Sequence, residues 1–329
     1  ALLIFGLAAV AALSHQPIIR KLGSGPRHQY VQDSAGQLHL VDLWGTISDV
    51  AEAVRYNPDT QNVYHLFTRR NPSVSQVLLP QNYDLLWSSN FNADLKTVVL
   101  IHGWIDNATA QFNRVLTPAF LEAEDVNVIV VDWCAGACTF NIVAAIRNTI
   151  ASGEGVARFI TWLNNATGAD PTNYHITGFS LGGHQAGVVG RNLGGVVDYI
   201  TSLDPAGGFE DNEHKFNATD GNYTEVIHTN AGEVGYLGPL GDVDFYPNGG
   251  VGMPGCSTGS CDHDRCYYYM AESLRTGGFT GRRCYDFNSA LIGNCSSPET
   301  LRMGGARAKF GAQGVYYLTT AAAPPFSNW

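Results

Sequence analysis

Lysine is scarce in this chain: only Lys21, Lys96, Lys215 and Lys309 stand among 19 basic residues. No stretch gathers the basic residues into a stripe, and the formal net charge is −10. A polyanionic backbone has little to bind here, which argues against nucleic acid as a partner. The remaining basic residues are arginine, which stays charged where lysine begins to lose its proton. That bias fits an alkaline working environment and equally well lineage drift. No apolar run reaches the length of about 18 residues that a membrane span needs. The long run that does occur, the opening ALLIFGLAAVAAL, has 13 residues. It is too short to span but matches the apolar core of a secretory signal peptide, with a buried helix as the alternative. The Met and charged segment that would precede it are missing. Cleavage after Ser14 would leave Ala12 and Ser14 at the small-residue positions. No internal repeat, low-complexity tract or linker marks a second domain. The expectation is a signal-peptide remnant at 1–14 and one domain at 15–329, long enough to bury a sizeable core.

Several features support the secretory route. Five N-x-S/T sequons begin at Asn107, Asn165, Asn217, Asn222 and Asn294. Seven cysteines are present. Nearest neighbours suggest the pairs Cys134–Cys138, Cys256–Cys261 and Cys284–Cys295, with Cys266 left free, although spacing alone does not prove connectivity. A rival reading makes Cys256, Cys261, His263 and Cys266 a zinc site.

Residues 15 to about 60 carry no clear pattern. Beyond them, β-rich runs alternate with helical stretches. KTVVLIHGW, VNVIVVDW, YHITGFS, VVDYITSLDPAG and YTEVIHTN read as strands. The stretch 141–166 reads as helix, interrupted or restarted near Gly153–Gly155, and LGGHQAGVVGRNL as a further helix. Continuous apolar strands between helices predict an α/β fold, a mostly parallel sheet covered on both faces.

Gly178, Ser180 and Gly182 form G-x-S-x-G between a strand and a helix rich in small residues. In such an elbow the serine is strained and its hydroxyl exposed, and the glycines remove side chains that would collide with neighbouring strand and helix. A serine needs a base to become a nucleophile, and the base needs an orienting acid. The next strand ends at Asp204, 24 residues on, where Pro205 stops it; Asp198, Asp220, Asp242 and Asp244 are rivals. The histidines beyond it are His214, His228 and His263. His263 lies in CDHDRC, on a short loop expected to be pinned by Cys256–Cys261 just ahead of a helix, and is favoured as base. Leu181, after the serine, and Trp104, in the IHGW turn, are the expected backbone donors of an oxyanion hole. This chemistry requires no cofactor.

Taken in order, VVLIHGW, GFSLGGHQAG, SLDPAG, VIHTN, DVDFYPNGGVGMPGC and CDHDRCYYYMAESL resemble the animal pancreatic-lipase-like family, over roughly residues 60 to 320. The resemblance implies an α/β-hydrolase fold, a triad of Ser180, Asp204 and His263, oxyanion donors at Trp104 and Leu181, and a glycerolipid ester substrate at a lipid–water interface. It implies two departures as well. The chain stops where the family's catalytic domain ends, without the C-terminal β-sandwich that binds colipase, as in the single-domain insect branch, so no colipase is expected. The family's lid lies between two cysteines that match Cys256 and Cys261, with only STGS between them. Four residues cannot form an amphipathic helix over an apolar cleft. The loop Ala231–Gly241 is short too, and Tyr236, Leu237, Pro239 and Leu240 are candidates for lipid contact or for loop packing. Short-lid members are similar to secreted phospholipases A1 and galactolipases, so phospholipase A1-like breadth is expected, with triacylglycerol lipase as the alternative. Non-catalytic relatives such as insect yolk proteins have lost the serine; here it is present. The family's calcium site matches Asp220 in one position but Asn217 where another acid is usual. A hard cation loses affinity with each missing charge, and no bound metal is expected.

Overall fold

The computed structural model describes residues 55–327 together with the backbone of β1 (His28–Gln32) and β2 (Leu38–Asp42), which pair antiparallel as a separate two-stranded sheet. The apolar opening segment and the cleavage position after Ser14 lie outside the described residues.

The chain then runs through α1 (Pro58–Gln61), β3 (Val63–Phe67), β4 (Gln76–Leu78), α2 (Tyr83–Trp87), β5 (Thr97–Ile101), α3 (Gln111–Ala123) and β6 (Asn127–Asp132). After α4 (Cys134–Ala137) and α5 (Ile142–Thr167) come β7 (Tyr174–Phe179), α6 (Leu181–Asn192), β8 (Tyr199–Leu203), β9 (Thr224–Ile227) and β10 (Val243–Pro247). The last elements are α7 (Gly259–Thr276), β11 (Thr280–Arg283), α8 (Phe287–Leu291), β12 (Thr300–Arg302) and β13 (Gly314–Leu318). Eleven strands form one sheet in the order β12-β11-β13-β10-β9-β8-β7-β5-β6-β3-β4. From β13 to β6 every pairing is parallel, and only the two margins are antiparallel. This is the mostly parallel sheet expected from the alternating pattern, and it agrees with the α/β-hydrolase fold that the resemblance implies.

Alternation along each strand feeds two cores. Val99, Ile101, Ile129 and Val131 point to the face covered by α5 and α6; Val98, Leu100, Val128 and Val130 point to the face covered by α3 and α7. With both faces buried, strands of this kind read as unbroken apolar runs.

The helix at 141–166 is not interrupted. Asn141 caps it, accepting from the backbone N–H groups of Val143 and Ala144, and Gly168 ends it at φ 77°. Its internal glycines serve packing. A Cβ on Gly153 would meet Val188 Cβ of α6 at 2.7 Å, and one on Gly155 would meet Pro58 at 2.6 Å. Each glycine weakens the helix by about 1 kcal/mol relative to alanine, and here the close approach of two helices offsets that. The expected cost of Gly153→Ala is therefore about 1–3 kcal/mol, the overpacking range, rather than the gain a solvent-exposed glycine would give. Urea unfolding should show a lower midpoint at unchanged m-value; a higher midpoint would contradict the packing role.

Candidate active site

The strands β5, β7 and β8 end side by side, and strained backbone gathers there. The non-glycine residues with positive φ among those described are Gln81, Ile105, Ser180, Asp204 and Asn248. Ile105, Ser180 and Asp204 follow the C-terminal ends of these three neighbouring strands. Strain of this kind persists only where the surroundings impose it.

At Ser180 (φ 57°, ψ −121°) they do so by backbone contact. A Cβ on Gly178 would lie 1.9 Å from Gly182 O, and one on Gly182 would lie 2.2 Å from Ile101 O. The first turn of α6 thus sits flush on the ends of β5 and β7, and only glycine fits at both positions. Leu181 opens α6 directly after Ser180. The IHGW turn lies against the elbow, where a Cβ on Gly103 would be 3.0 Å from Ser180 Cβ. Trp104 follows, half-buried, its indole N–H donating to Thr139 O at 2.8 Å.

Asp204 is fully buried one residue past β8. Its Oδ1 accepts the backbone N–H groups of Thr229 (2.7 Å) and Asn230 (3.0 Å), and its Oδ2 accepts from His263 Nδ1–H at 2.5 Å. Fixed donors on both oxygens hold the carboxylate in one orientation and leave the far ring nitrogen of His263 for other chemistry. The Phe179 ring packs 4.6 Å from the His263 ring, centroid to centroid, and Phe179 is the residue before Ser180. Ser180, Asp204 and His263 are therefore delivered to one edge of the sheet by β7, β8 and α7.

His263 does not lie on a loop as its sequence surroundings suggest. Thr258 caps α7, its Oγ1 accepting from Cys261 N–H at 3.3 Å, and the helix already includes Gly259, Cys261 and His263. A capping threonine with an acid in the first turn is a helix-start signal. The adjacent disulfide obscures it in the sequence. The rival acids are accounted for otherwise. Asp198 precedes β8, at the strand's opposite end, and Asp242 accepts from Thr224. Asp244 pairs with His228 Nε2 at 2.9 Å, beneath the 231–241 loop. His214 lies beside Glu213 with 40% of its side chain exposed.

The three disulfides form as spacing suggested, Cys134–Cys138, Cys256–Cys261 and Cys284–Cys295, and Cys266 is free and buried. Pairing of Cys256 with Cys261 removes two thiolates from the rival zinc site and overturns it. At the family's calcium position, both oxygens of the buried Asp220 carboxylate face Arg191, at 2.9 Å from Nε and 2.8 Å from a terminal guanidinium nitrogen. Asn217 turns its side-chain oxygen to its own helical turn, accepting from Thr219 N–H at 2.8 Å. The arginine supplies the compensating charge, so this donor set does not fit calcium. Of the proposed lipid-contact residues, Leu237 is exposed and Pro239 likewise, Tyr236 is half-buried, and Leu240 is buried in the core.

The Lipase family profile matches residues 36–326. The chain belongs to this family. It is 32% identical over 323 residues to the pancreatic triacylglycerol lipase of Myocastor coypus, covering 87% of this chain and 70% of that one. It is 32% identical over 308 residues to the pancreatic triacylglycerol lipase of Sus scrofa, with 82% and 68% covered. It is also 32% identical over 324 residues to human pancreatic lipase-related protein 3, with 86% and 68% covered. Membership makes this chain a carboxylic ester hydrolase by family, on the α/β-hydrolase fold that its own strand order displays.

One histidine ties the elbow of this lipase-family chain to the loop beyond Asp204. His184, on α6, donates from Nε2–H to Ala206 O (2.8 Å), accepts Phe216 N–H at Nδ1 (3.0 Å) and stacks on Phe209. Full burial, reinforced by the charges of Arg191 and Lys215, pushes its pKa from 6.5 down to about 3. Unfolded, the same ring takes a proton near 6.5. Its stabilising contribution is therefore complete above pH 6.5 and is lost as pH falls toward 3. The expected NMR result is a neutral, Nε2-protonated ring for His184 from pH 8 to below 5. A His184 ring titrating near 6.5 in the folded protein would contradict this.

Proposed function

We propose that this chain is a secreted serine hydrolase that releases fatty acid from glycerolipids at a lipid–water interface. The observation that carries the reading is the 2.5 Å bond from His263 Nδ1 to buried Asp204, next to a serine held at positive φ. His263 Nε2 takes the hydroxyl proton of Ser180 as Oγ bonds to the acyl carbon. The N–H groups of Trp104 and Leu181 hold the oxyanion. On collapse, His263 returns the proton to the departing glycerol oxygen. Water, deprotonated in turn by His263, attacks the acyl carbon, and the fatty acid leaves as His263 returns that proton to Ser180 Oγ. Asp204 keeps the imidazole in the required tautomer and stabilises its cation. Ser180→Ala is expected to abolish release. Asp204→Asn should lower kcat by about 10⁴ with little change in KM, because the amide favours the wrong tautomer. Full activity in either variant, with thermal unfolding unchanged, would reject the triad.

Head-group preference is inferred from the roof of the cleft. Only four residues separate Cys256 from Cys261, and α7 begins among them at Gly259, so this segment forms no separate lid helix. A cleft without a helical lid would admit a polar head group, which supports phospholipase A1-like specificity; the named activity of the relatives favours triacylglycerol as the second reading. Fatty-acid release should be faster from phosphatidylcholine vesicles than from a triacylglycerol emulsion, and release from the emulsion alone would reject the head-group assignment. Secretion is supported by three disulfides and by four exposed sequon asparagines, Asn107, Asn165, Asn222 and Asn294. Contact with a membrane or lipid droplet is assigned to Tyr236, Leu237 and Pro239, and no colipase or nucleic acid is invoked.

A further inference from the structure

His102, the residue before the IHGW glycine, is fully buried. Its Nε2 accepts the backbone N–H of Trp133 at 3.2 Å, while Asp132 Oδ1 lies farther off at 3.7 Å and turns to the Cys134 N–H at 3.0 Å. A nitrogen that accepts carries no proton, so the ring proton sits on Nδ1. Nδ1–H donates to Gly103 O at 2.9 Å. Trp133 reinforces the arrangement from the other side, its indole N–H donating to His102 O at 2.9 Å and its ring lying 5.7 Å from the imidazole, nearly parallel to it.

The carbonyl that His102 holds belongs to the same peptide unit as the N–H of Trp104. In a trans peptide these two groups are coplanar and point in opposite directions. Anchoring one therefore aims the other. Farther along the turn, Ile105 N–H donates to Ala137 O at 3.2 Å, so backbone rotation is restrained on both sides of Trp104. An oxyanion donor is effective because it is aimed before charge develops, and a rotating peptide would surrender that advantage.

We propose that His102 is a positioning residue: through Nδ1–H it orients the Gly103–Trp104 peptide so that the Trp104 N–H meets the oxyanion. This rests on the oxyanion role assigned to Trp104 under Proposed function. It predicts that kcat depends on the Nδ1 donor while KM does not, since the ground-state ester gains little from the donor.

Two variants separate the ring nitrogens. His102→Asn keeps an amide N–H near the Nδ1 position; His102→Gln extends to the Nε2 position, keeping an acceptor for Trp133 and losing the donor to Gly103. Rates per active site, normalised by the p-nitrophenol burst of a chromogenic ester, exclude any unfolded fraction. For His102→Gln the expected fall in kcat is about 10–100-fold, below the cost of deleting an oxyanion donor outright, with KM within about twofold. His102→Asn is expected to recover most of that loss. Inactivation by a p-nitrophenyl phosphonate, which also builds an oxygen anion beside Ser180, should follow the same order. Equal kcat in His102→Gln and wild type, or a fall in His102→Asn as large as in His102→Gln, would overturn the role of His102. Activity that survives Ser180→Ala would overturn the proposed function instead, and this inference with it.

Discussion

The first turn of α6 rests in direct backbone contact on the ends of β5 and β7, and the rest of the site depends on that contact. Gly178 and Gly182 leave no space between carbonyls and helix, so the chain turns at Ser180 with a φ that an L-residue ordinarily avoids. Farther along α6 the same closeness continues. A Cβ on Gly183 would meet Ser202 Oγ at 2.4 Å and one on Gly187 would meet Asp220 Oδ2 at 2.2 Å. Drawing the helix down to the sheet brings the turn after β5 beside Ser180 and lets the strand next to β7 present Asp204. Substitutions along this small-residue face would lift the helix and move the three groups of the proposed site together.

Buried charge is handled by fixed donors rather than by solvent. Asp204 accepts from two backbone N–H groups and His263, Asp220 faces Arg191, and Asp244 faces His228 while accepting from Leu240 N–H and Gly241 N–H. Glu225 accepts from Tyr223 OH and Gly304 N–H and lies 2.5 Å from Lys309 Nζ. Each of these four carboxylates also crosslinks segments distant in the chain, as a buried charge must be paired to be tolerated. The scarce lysines take part. Lys96, Lys215 and Lys309 donate to the backbone carbonyls of Ala306, Glu210 and Gly304, so each described lysine ties one segment down and none is left to form a basic patch.

Much of this was legible in the residues. The runs read as strands became β5 to β9, because a fully buried strand leaves an apolar signature that flanking residues do not alter. The G-x-S-x-G turn and Asp204 before Pro205 were readable for a similar reason: strand ends and steric limits are local physics. Two elements differ from what their local sequence suggests. Gly153 and Gly155 suggested a break in what is a single helix, since a glycine that weakens a helix and one that admits a neighbour look alike without the neighbour. CDHDRC reads as a loop held by the cysteine pair, whereas Thr258 already caps a helix that carries His263. His102 gave no signal, as its decisive partner, Trp133, is 31 residues away.

The amino-acid sequence by itself determined the family, through its motifs, and also the α/β class and the elbow at Ser180. The class and the elbow depend on periodicity, turn sterics and short-range chain geometry. The tertiary structure alone decided which histidine meets Asp204, that Arg191 rather than a cation neutralises Asp220, and that Cys256 and Cys261 are joined rather than bound to zinc. It also decided that His102 meets both Gly103 O and Trp133 N–H. Those outcomes depend on hydrogen bonds and charges between segments brought together by crossover connections, and distance along the chain carries no record of who meets across the sheet.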